Sequence, residues 1–323
     1  MLNRARSLTL FIVRRFAGLC LTLLVASFAI FGALYLQPSD PIAFLAHGRQ
    51  LSPQSVAILR AEYHLDQPFL VRYWEWLTSA LHGDLGQSLV TKTAVSTLIS
   101  GRIGTTVFLL AYGSLLIIVF GVLLGIVSAL RRGLVGGAIT AGLTVGIAMP
   151  SFVAAIILIT VFAVQLSWFP AFGQGAGFAD RLWHLTLPAI ALALSATAYL
   201  SRLTRSAVRD ELGREHVETA RGRGIPWRLI LRRHVVRNAM IPITTVSAIT
   251  IAALMVGTAV VETAFGIAGL GSLLVQSVSD GDFAVVQGIA LLLVTGFVVI
   301  NTIVDVLYAV LDPRIDVPGL AVA

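Results

Sequence analysis

The run TTVFLLAYGSLLIIVFGVLLGIVSAL, Thr105 to Leu130, contains neither a charged residue nor a proline. About 20 apolar residues in a helix cross the hydrocarbon core of a bilayer, and a helix satisfies its backbone N–H and C=O groups internally, where no water can. The run therefore reads as a transmembrane helix. Moving outward from it, five further segments meet the same test: about 16–36, 134–166, 185–203, 239–261 and 284–311. The 134–166 segment is long enough to tilt, or to break at Pro150. Bulk composition agrees, with 57% hydrophobic residues, 12% charged residues and a mean hydropathy of +0.90. A soluble domain of this size would expose far more charge. The expected fold class is an all-α integral membrane protein with six transmembrane helices and no internal repeat.

The net charge is +7 and the pI about 10.3, values that in a soluble chain would point to nucleic acid. Here the positive residues follow the predicted topology. Arg4, Arg6, Arg14, Arg15, Arg131, Arg132, the ten arginines from Arg202 to Arg237, and Arg314 fall on one side, 17 in all. The other side keeps Arg49, Arg60, Arg72, Lys92, Arg102 and Arg181. Cytoplasmic loops retain Lys and Arg, so both termini are expected in the cytoplasm. A basic groove with interleaved aromatics, the mark of a nucleic-acid binder, is absent from the sequence. The arginines before residue 16 resemble the start of a cleaved signal, but 16–36 is long enough to span and reads as a signal anchor. Cys20, the only cysteine, lies inside that run, so the chain can form neither an intramolecular disulfide nor a cysteine-based zinc cluster.

Two loops exceed simple connectors. In the extracytoplasmic loop 37–104, the stretches 53–65 and 68–81 have apolar residues at helical spacing and read as amphipathic helices at the outer interface, with Tyr73, Trp74 and Trp76 as interfacial anchors. The cytoplasmic loop 204–238 reads as helix, turn, helix. A charged helix ends at Gly224, because glycine accepts the left-handed conformation that closes a helix, and Pro226 suits the first turn of a second helix. Trp227, Ile230, Leu231 and Val235 form an apolar stripe on that second helix, which either packs on the membrane domain or is offered to a partner.

These loops carry a resemblance. Glu218-Thr219-Ala220, Gly224 four residues on, and Ile241-Pro242 resemble the Glu-Ala-Ala…Gly loop of ABC importer permeases, with Thr219 in place of the usual first alanine. Leu65-Asp66-Gln67-Pro68, Arg72-Tyr73, Trp76-Leu77 and Gly83-Asp84-Leu85-Gly86-Gln87-Ser88 are similar to the outer loop of the dipeptide, oligopeptide and nickel permeases, "B" type. Pro150-Ser151-Phe152, the stretch Glu262 to Gly271, and Asn301, Asp305, Tyr308, Asp312, Pro313 and Arg314 extend the resemblance over essentially the whole chain. Ala264 and Ala268 stand where that family often has Val and Pro.

The resemblance implies the type I ABC importer permease fold, divided as a cytoplasmic N-terminus (1–15), a first helix (16–36), the outer loop (37–104), a five-helix permease domain (105–311) containing the coupling loop 204–238, and a cytoplasmic C-terminus (312–323). It implies a bacterial or archaeal cytoplasmic membrane, di- or oligopeptides as cargo, and nickel, haem or glutathione as alternatives. Implied partners are a second homologous permease, two ATP-binding subunits or one fused ATPase, and an extracytoplasmic binding protein. ATP and Mg are expected in the partner ATPases, with no cofactor on this chain. The coupling residues would be Glu218, Thr219, Ala220, Gly224 and Pro226, with Glu218 facing a basic partner residue or pairing with Arg221, and Ala220 allowing close approach or only favouring helix.

Two other function classes fare worse. A phosphate-binding loop needs Gly-Lys-Ser/Thr, and the only lysine, Lys92, follows Thr91. An intramembrane enzyme would show Gly-x-Ser-x-Gly or His-Glu-x-x-His, and neither occurs, while His47, His64, His82, His184, His216 and His234 all fall in loops or at helix ends. An ion-coupled carrier usually places ionisable groups near the midplane; apart from Arg202 at the very end of 185–203, the only Asp, Glu, Lys or Arg in the expected spans is Asp305, with Asn301 four residues before it as a local hydrogen-bonding neighbour.

The topology has a direct test. Cysteine labelling of sealed cells from outside is expected to miss positions 222 and 323; labelling at 222 would reverse the orientation.

Overall fold

The computed structural model describes residues 2–36, 66–131 and 133–311, with isolated positions between 52 and 58, and side chains among these from 13 to 303. In chain order the helices are α1 (Leu2–Tyr35), α2 (Phe69–Leu81), α3 (Val95–Leu130), α4 (Leu134–Ala148), α5 (Ser151–Gln165), α6 (Gly177–Leu212), α7 (Glu215–Gly222), α8 (Trp227–Ala264), α9 (Leu270–Ser279) and α10 (Phe283–Leu311). Apart from one antiparallel bridge between Gln87 and Ala94, the regular structure of the described residues is helical. Among the described residues five helices are long and apolar enough to cross a membrane, and the α4–α5 pair makes six when taken as one bent span.

The bend lies where the sequence places it. The ring of a proline pushes the preceding residue out of the helical region, and Met149 accordingly sits at φ −83°, ψ 115°. The axis bends by 109° between the two halves. Other boundaries differ from the hydropathy reading. α3 begins at Val95, ten residues before the expected span, and α6 begins at Gly177 rather than 185. Hydropathy marks the part of a helix that suits lipid, whereas the helix itself continues until something breaks it.

α6 is the centre of the bundle, the one described span with more than half of its apolar window buried. It runs parallel to α3 in close contact. A Cβ on Gly113 would touch Leu192, one on Gly121 would lie 2.8 Å from the Leu200 side chain, and one on Gly125 would lie 2.4 Å from Thr204 Cβ. Ile117, fully buried, falls between them. Lipid tails are as apolar as leucine, so helices in a membrane associate through van der Waals packing, and small residues allow the closest approach. α8 crosses the same core in the opposite direction, with Gly257 against Leu192 and Met255 against Gly296 of α10.

α1 is peripheral, packing on α10 and α2, and exposes Leu21, Leu24, Val25 and Phe28. The expected amphipathic helix over 68–81 is α2, while that over 53–65 lies largely outside the described residues. Only part of the α2 aromatic set faces outward. Trp74 is exposed with Leu70, Val71 and Leu81, but Phe69, Tyr73 and Trp76 stack with Phe28, Phe31 and Tyr35 at centroid distances of 4.9–5.6 Å. The Tyr73 hydroxyl hydrogen-bonds Ser27 Oγ at 2.9 Å.

A matched pair of variants tests the α3–α6 contact. Gly125→Ala forces a Cβ against Thr204 and the Ser201 carbonyl, and overpacking of this kind costs on the order of 1–3 kcal/mol. Gly142→Ala, with nothing within 4 Å, should cost nothing. Only the first is expected to lower the thermal midpoint of the detergent-purified protein.

Candidate functional site

The sequence concentrates its charge between α6 and α8, and the local chemistry explains the path there. The charged helix does not run unbroken to Gly224. α6 stops at Leu212, and Arg214, at φ −77° and ψ 145°, leads into a separate two-turn helix, α7. Glycine is a poor helix former, and Gly213 marks the break. Glu215 and Glu218 occupy the first turn of α7 and Arg221 its last, the arrangement that the helix dipole favours.

The turn after α7 has the left-handed glycine the sequence predicts. Gly224 has φ +71°; its N–H donates to the Arg221 carbonyl at 2.9 Å, and the Ile225 N–H donates to the Ala220 carbonyl at 3.2 Å. This is a Schellman motif, in which two otherwise orphaned carbonyls at a helix end are satisfied by the residues that leave it. Ile225 completes it by packing toward the core. Pro226 stands at the N-cap of the next helix, one residue before its first turn, with φ −56°.

That next helix is not the short second helix of the sequence reading. It continues through a π-wound stretch, Leu231–Val236, into the membrane span, so α8 is a single helix of 38 residues from Trp227 to Ala264. Its apolar stripe is divided. Ile230 and Val235 are buried with Val217 and Ala220 of α7 and Val208 of α6, and Leu231 is partly buried against them, while Trp227 stays partly exposed.

The five residues singled out by the sequence therefore have different surroundings. Glu218 and Thr219 are exposed, Gly224 forms the turn and Pro226 caps α8. Ala220, read as allowing close approach or only favouring helix, faces inward, only 4% exposed. It lies three residues after Val217, so both fall on the face of α7 that packs on the chain itself. Nor does Arg221 simply pair with Glu218: its guanidinium lies 4.9 Å from the centre of the Trp227 ring, a cation–π contact across the turn. The exposed side of the element thus presents Glu218, Thr219, the Arg221–Trp227 stack and Arg228.

A second link, unforeseen in the sequence, ties α7 down. His216 Nε2 lies 3.6 Å from Glu211 Oε2 at the end of α6 and 3.4 Å from Asn238 Nδ2 of α8. Arg214 pairs with the same glutamate at 3.6 Å. The rings of His216 and His234 are 6.1 Å apart. Among the described residues no three side chains of His, Cys, Asp or Glu are placed to hold a metal ion.

Two family models match the chain: the binding-protein-dependent transport system inner membrane component over residues 121–317, and the N-terminal family of the same membrane component over residues 8–110. The glutathione transport system permease protein GsiC of Salmonella choleraesuis (strain SC-B67) is 35% identical over 306 residues, 94% of this chain and 98% of that protein. GsiC of Escherichia coli (strain K12) is 34% identical over the same lengths. Among solved structures, an inward-facing MetNI methionine ABC transporter chain superposes with a TM-score of 0.56 at 18% identity, covering 67% of this chain and 96% of that one. A chain of an amino acid ABC transporter crystallised with histidines gives 0.51 at 19% identity, covering 66% and 94%. At these identities the structural matches speak for the fold alone.

The turn itself can be probed. A β-branched residue in the left-handed region costs on the order of 1–2 kcal/mol, so Gly224→Val is expected to leave membrane insertion intact and to open the turn. Limited trypsin digestion should then cut faster at Arg221 and Arg223 than in the parent protein, and an unchanged cleavage rate would show that the turn tolerates the strain.

Proposed function

The chain belongs to the family of binding-protein-dependent transport system inner membrane components, and from that premise we propose that it passes small peptide-like solutes, glutathione foremost, into the cell. It is the permease of an ABC importer, a multi-pass protein of the inner membrane. The observation that supports the cargo is the 35% identity with a glutathione permease along almost the full length of both chains.

In this reading both termini are cytoplasmic, following the arginine distribution. A second homologous permease completes the passage, an extracytoplasmic binding protein delivers the solute, and ATP with Mg is hydrolysed in two ATP-binding subunits or one fused ATPase. The element Glu215–Trp227 is the coupling surface. Glu218, Thr219 and the Arg221–Trp227 stack would meet the ATPase, and Ala220, Gly224 and Pro226 would hold that surface at a fixed angle. Because α8 begins within this element, a push on the turn acts directly on a membrane span.

The complex purified through this chain, placed in liposomes with its binding protein, is expected to accumulate radiolabelled glutathione only when ATP is supplied, and unlabelled tripeptide is expected to compete. Accumulation of nickel or haem in place of both would move the cargo to another branch of the family. ATP-independent uptake by this chain alone would make it an ion-coupled carrier.

A further inference from the structure

At the end of the bundle away from the coupling element, residues 265–282 form a hairpin around α9, and its two ends are built alike. α8 closes on Gly266 (φ +56°), with the Gly266 N–H donating to Thr263 O at 3.3 Å and the Ile267 N–H to Glu262 O at 2.8 Å. α9 closes on Gly281 (φ +67°), with the Gly281 N–H donating to Val278 O at 3.3 Å and the Asp282 N–H to Ser277 O at 2.8 Å. Beside each turn a carboxylate is buried: Glu262 is 0% exposed and Asp282 3%.

A buried carboxylate is tolerated only when hydrogen bonds replace its water. Both achieve this with a hydroxyl of the 88–106 segment and a backbone N–H. Glu262 accepts the Thr106 hydroxyl of α3 at 2.7 Å and the Ser272 N–H in the first turn of α9 at 3.0 Å, and the Thr106 oxygen accepts the Leu270 N–H at 2.8 Å. Asp282 accepts the Ser88 hydroxyl at 2.5 Å and the Leu89 N–H at 3.2 Å, and the Ser88 oxygen accepts the Thr91 N–H at 2.9 Å. Each acid at one end of the hairpin therefore holds a hydroxyl of the 88–106 segment, which in turn holds a backbone N–H. The space between is filled by Val95, Ile99, Leu270, Leu273, Val285 and Ile289. Tolerance is minimal at Gly269, where a Cβ would lie 2.2 Å from the Glu262 carboxyl carbon.

Apolar residues of similar volume would fill such sites with less desolvation, but without directional bonds they would leave the hairpin free to slip along α3. We propose that Glu262 and Asp282 are paired positioning residues that clamp the α9 hairpin to the 88–106 segment, so that this rim travels as one body when the passage opens and closes. The transport reading enters only through that last clause.

The test uses the complete transporter in a Cys20→Ala background, spin-labelled at two exposed positions, Thr97→Cys on α3 and Ser279→Cys on α9. The label-to-label distance is expected to be narrow and the same without nucleotide and with ATP and vanadate. Glu262→Gln and Asp282→Asn should broaden it and lower the maximal uptake rate roughly tenfold, while the half-saturating solute concentration stays within about twofold, the pattern of a lost step and not of lost binding. Thr106→Val and Ser88→Ala, which remove only the relay hydroxyls, should broaden it less, and Glu262→Asp should recover part of the rate; these milder variants decide the matter where a carboxylate variant fails to fold. A wild-type distance that changes between the nucleotide states, or narrow distances with normal uptake in the carboxylate variants, would overturn the clamp. Broadening in the variants of an assembly that takes up no peptide would leave the clamp standing and remove the transport reading instead.

Discussion

The close contact of α3 with α6 organises this membrane domain. Gly113, Gly121 and Gly125 remove the side chains that would hold the two helices apart, and Leu192, Leu200 and Thr204 enter the space. In lipid this fit has to come from packing, since moving a leucine from acyl chains to another helix gains little. Once the two helices are parallel and in register, the end of α6 fixes where α7 and the start of α8 lie. The same register sets the beginning of α3 beside the end of α8. Both the α7 turn and the α9 hairpin therefore take their positions from one glycine-lined seam.

α8 joins those two regions. At about 1.5 Å per residue its 38 residues extend roughly 57 Å, from the cation–π stack at Trp227 to the buried carboxylate of Glu262. A Schellman turn stands at each end, at Gly224 before it and Gly266 after it. The π-wound stretch Leu231–Val236 lies where the helix leaves the α7 turn and enters the bundle. Irregular winding of this kind often marks functional positions in helices.

Most side-chain hydrogen bonds close locally within a helix, and a smaller set joins elements. His216 joins α7 to Glu211 and Asn238, and Glu262 and Asp282 join the α9 hairpin to α3 and the segment before it. These links are directional, which apolar contacts are not. They fix angles and register in a protein whose lipid-facing surfaces carry little of that information.

Much of this was legible in the sequence. The six apolar runs follow from the bilayer's thickness, the break at Pro150 from the ring of proline, and the turn at Gly224 from the freedom of a residue without Cβ. All three are local constraints that a short stretch of chain carries by itself. The sequence could not reveal which face of α3 meets α6, because a run that is apolar on every side has no periodicity to distinguish a packed face from a lipid-facing one. Ala220, read as allowing close approach or only favouring helix, packs inward, and Glu262, one residue beyond the expected span, finds its ligands on two other helices. Those assignments depend on which residues, far apart in the chain, come within a few ångströms of one another, and only the tertiary structure decides that.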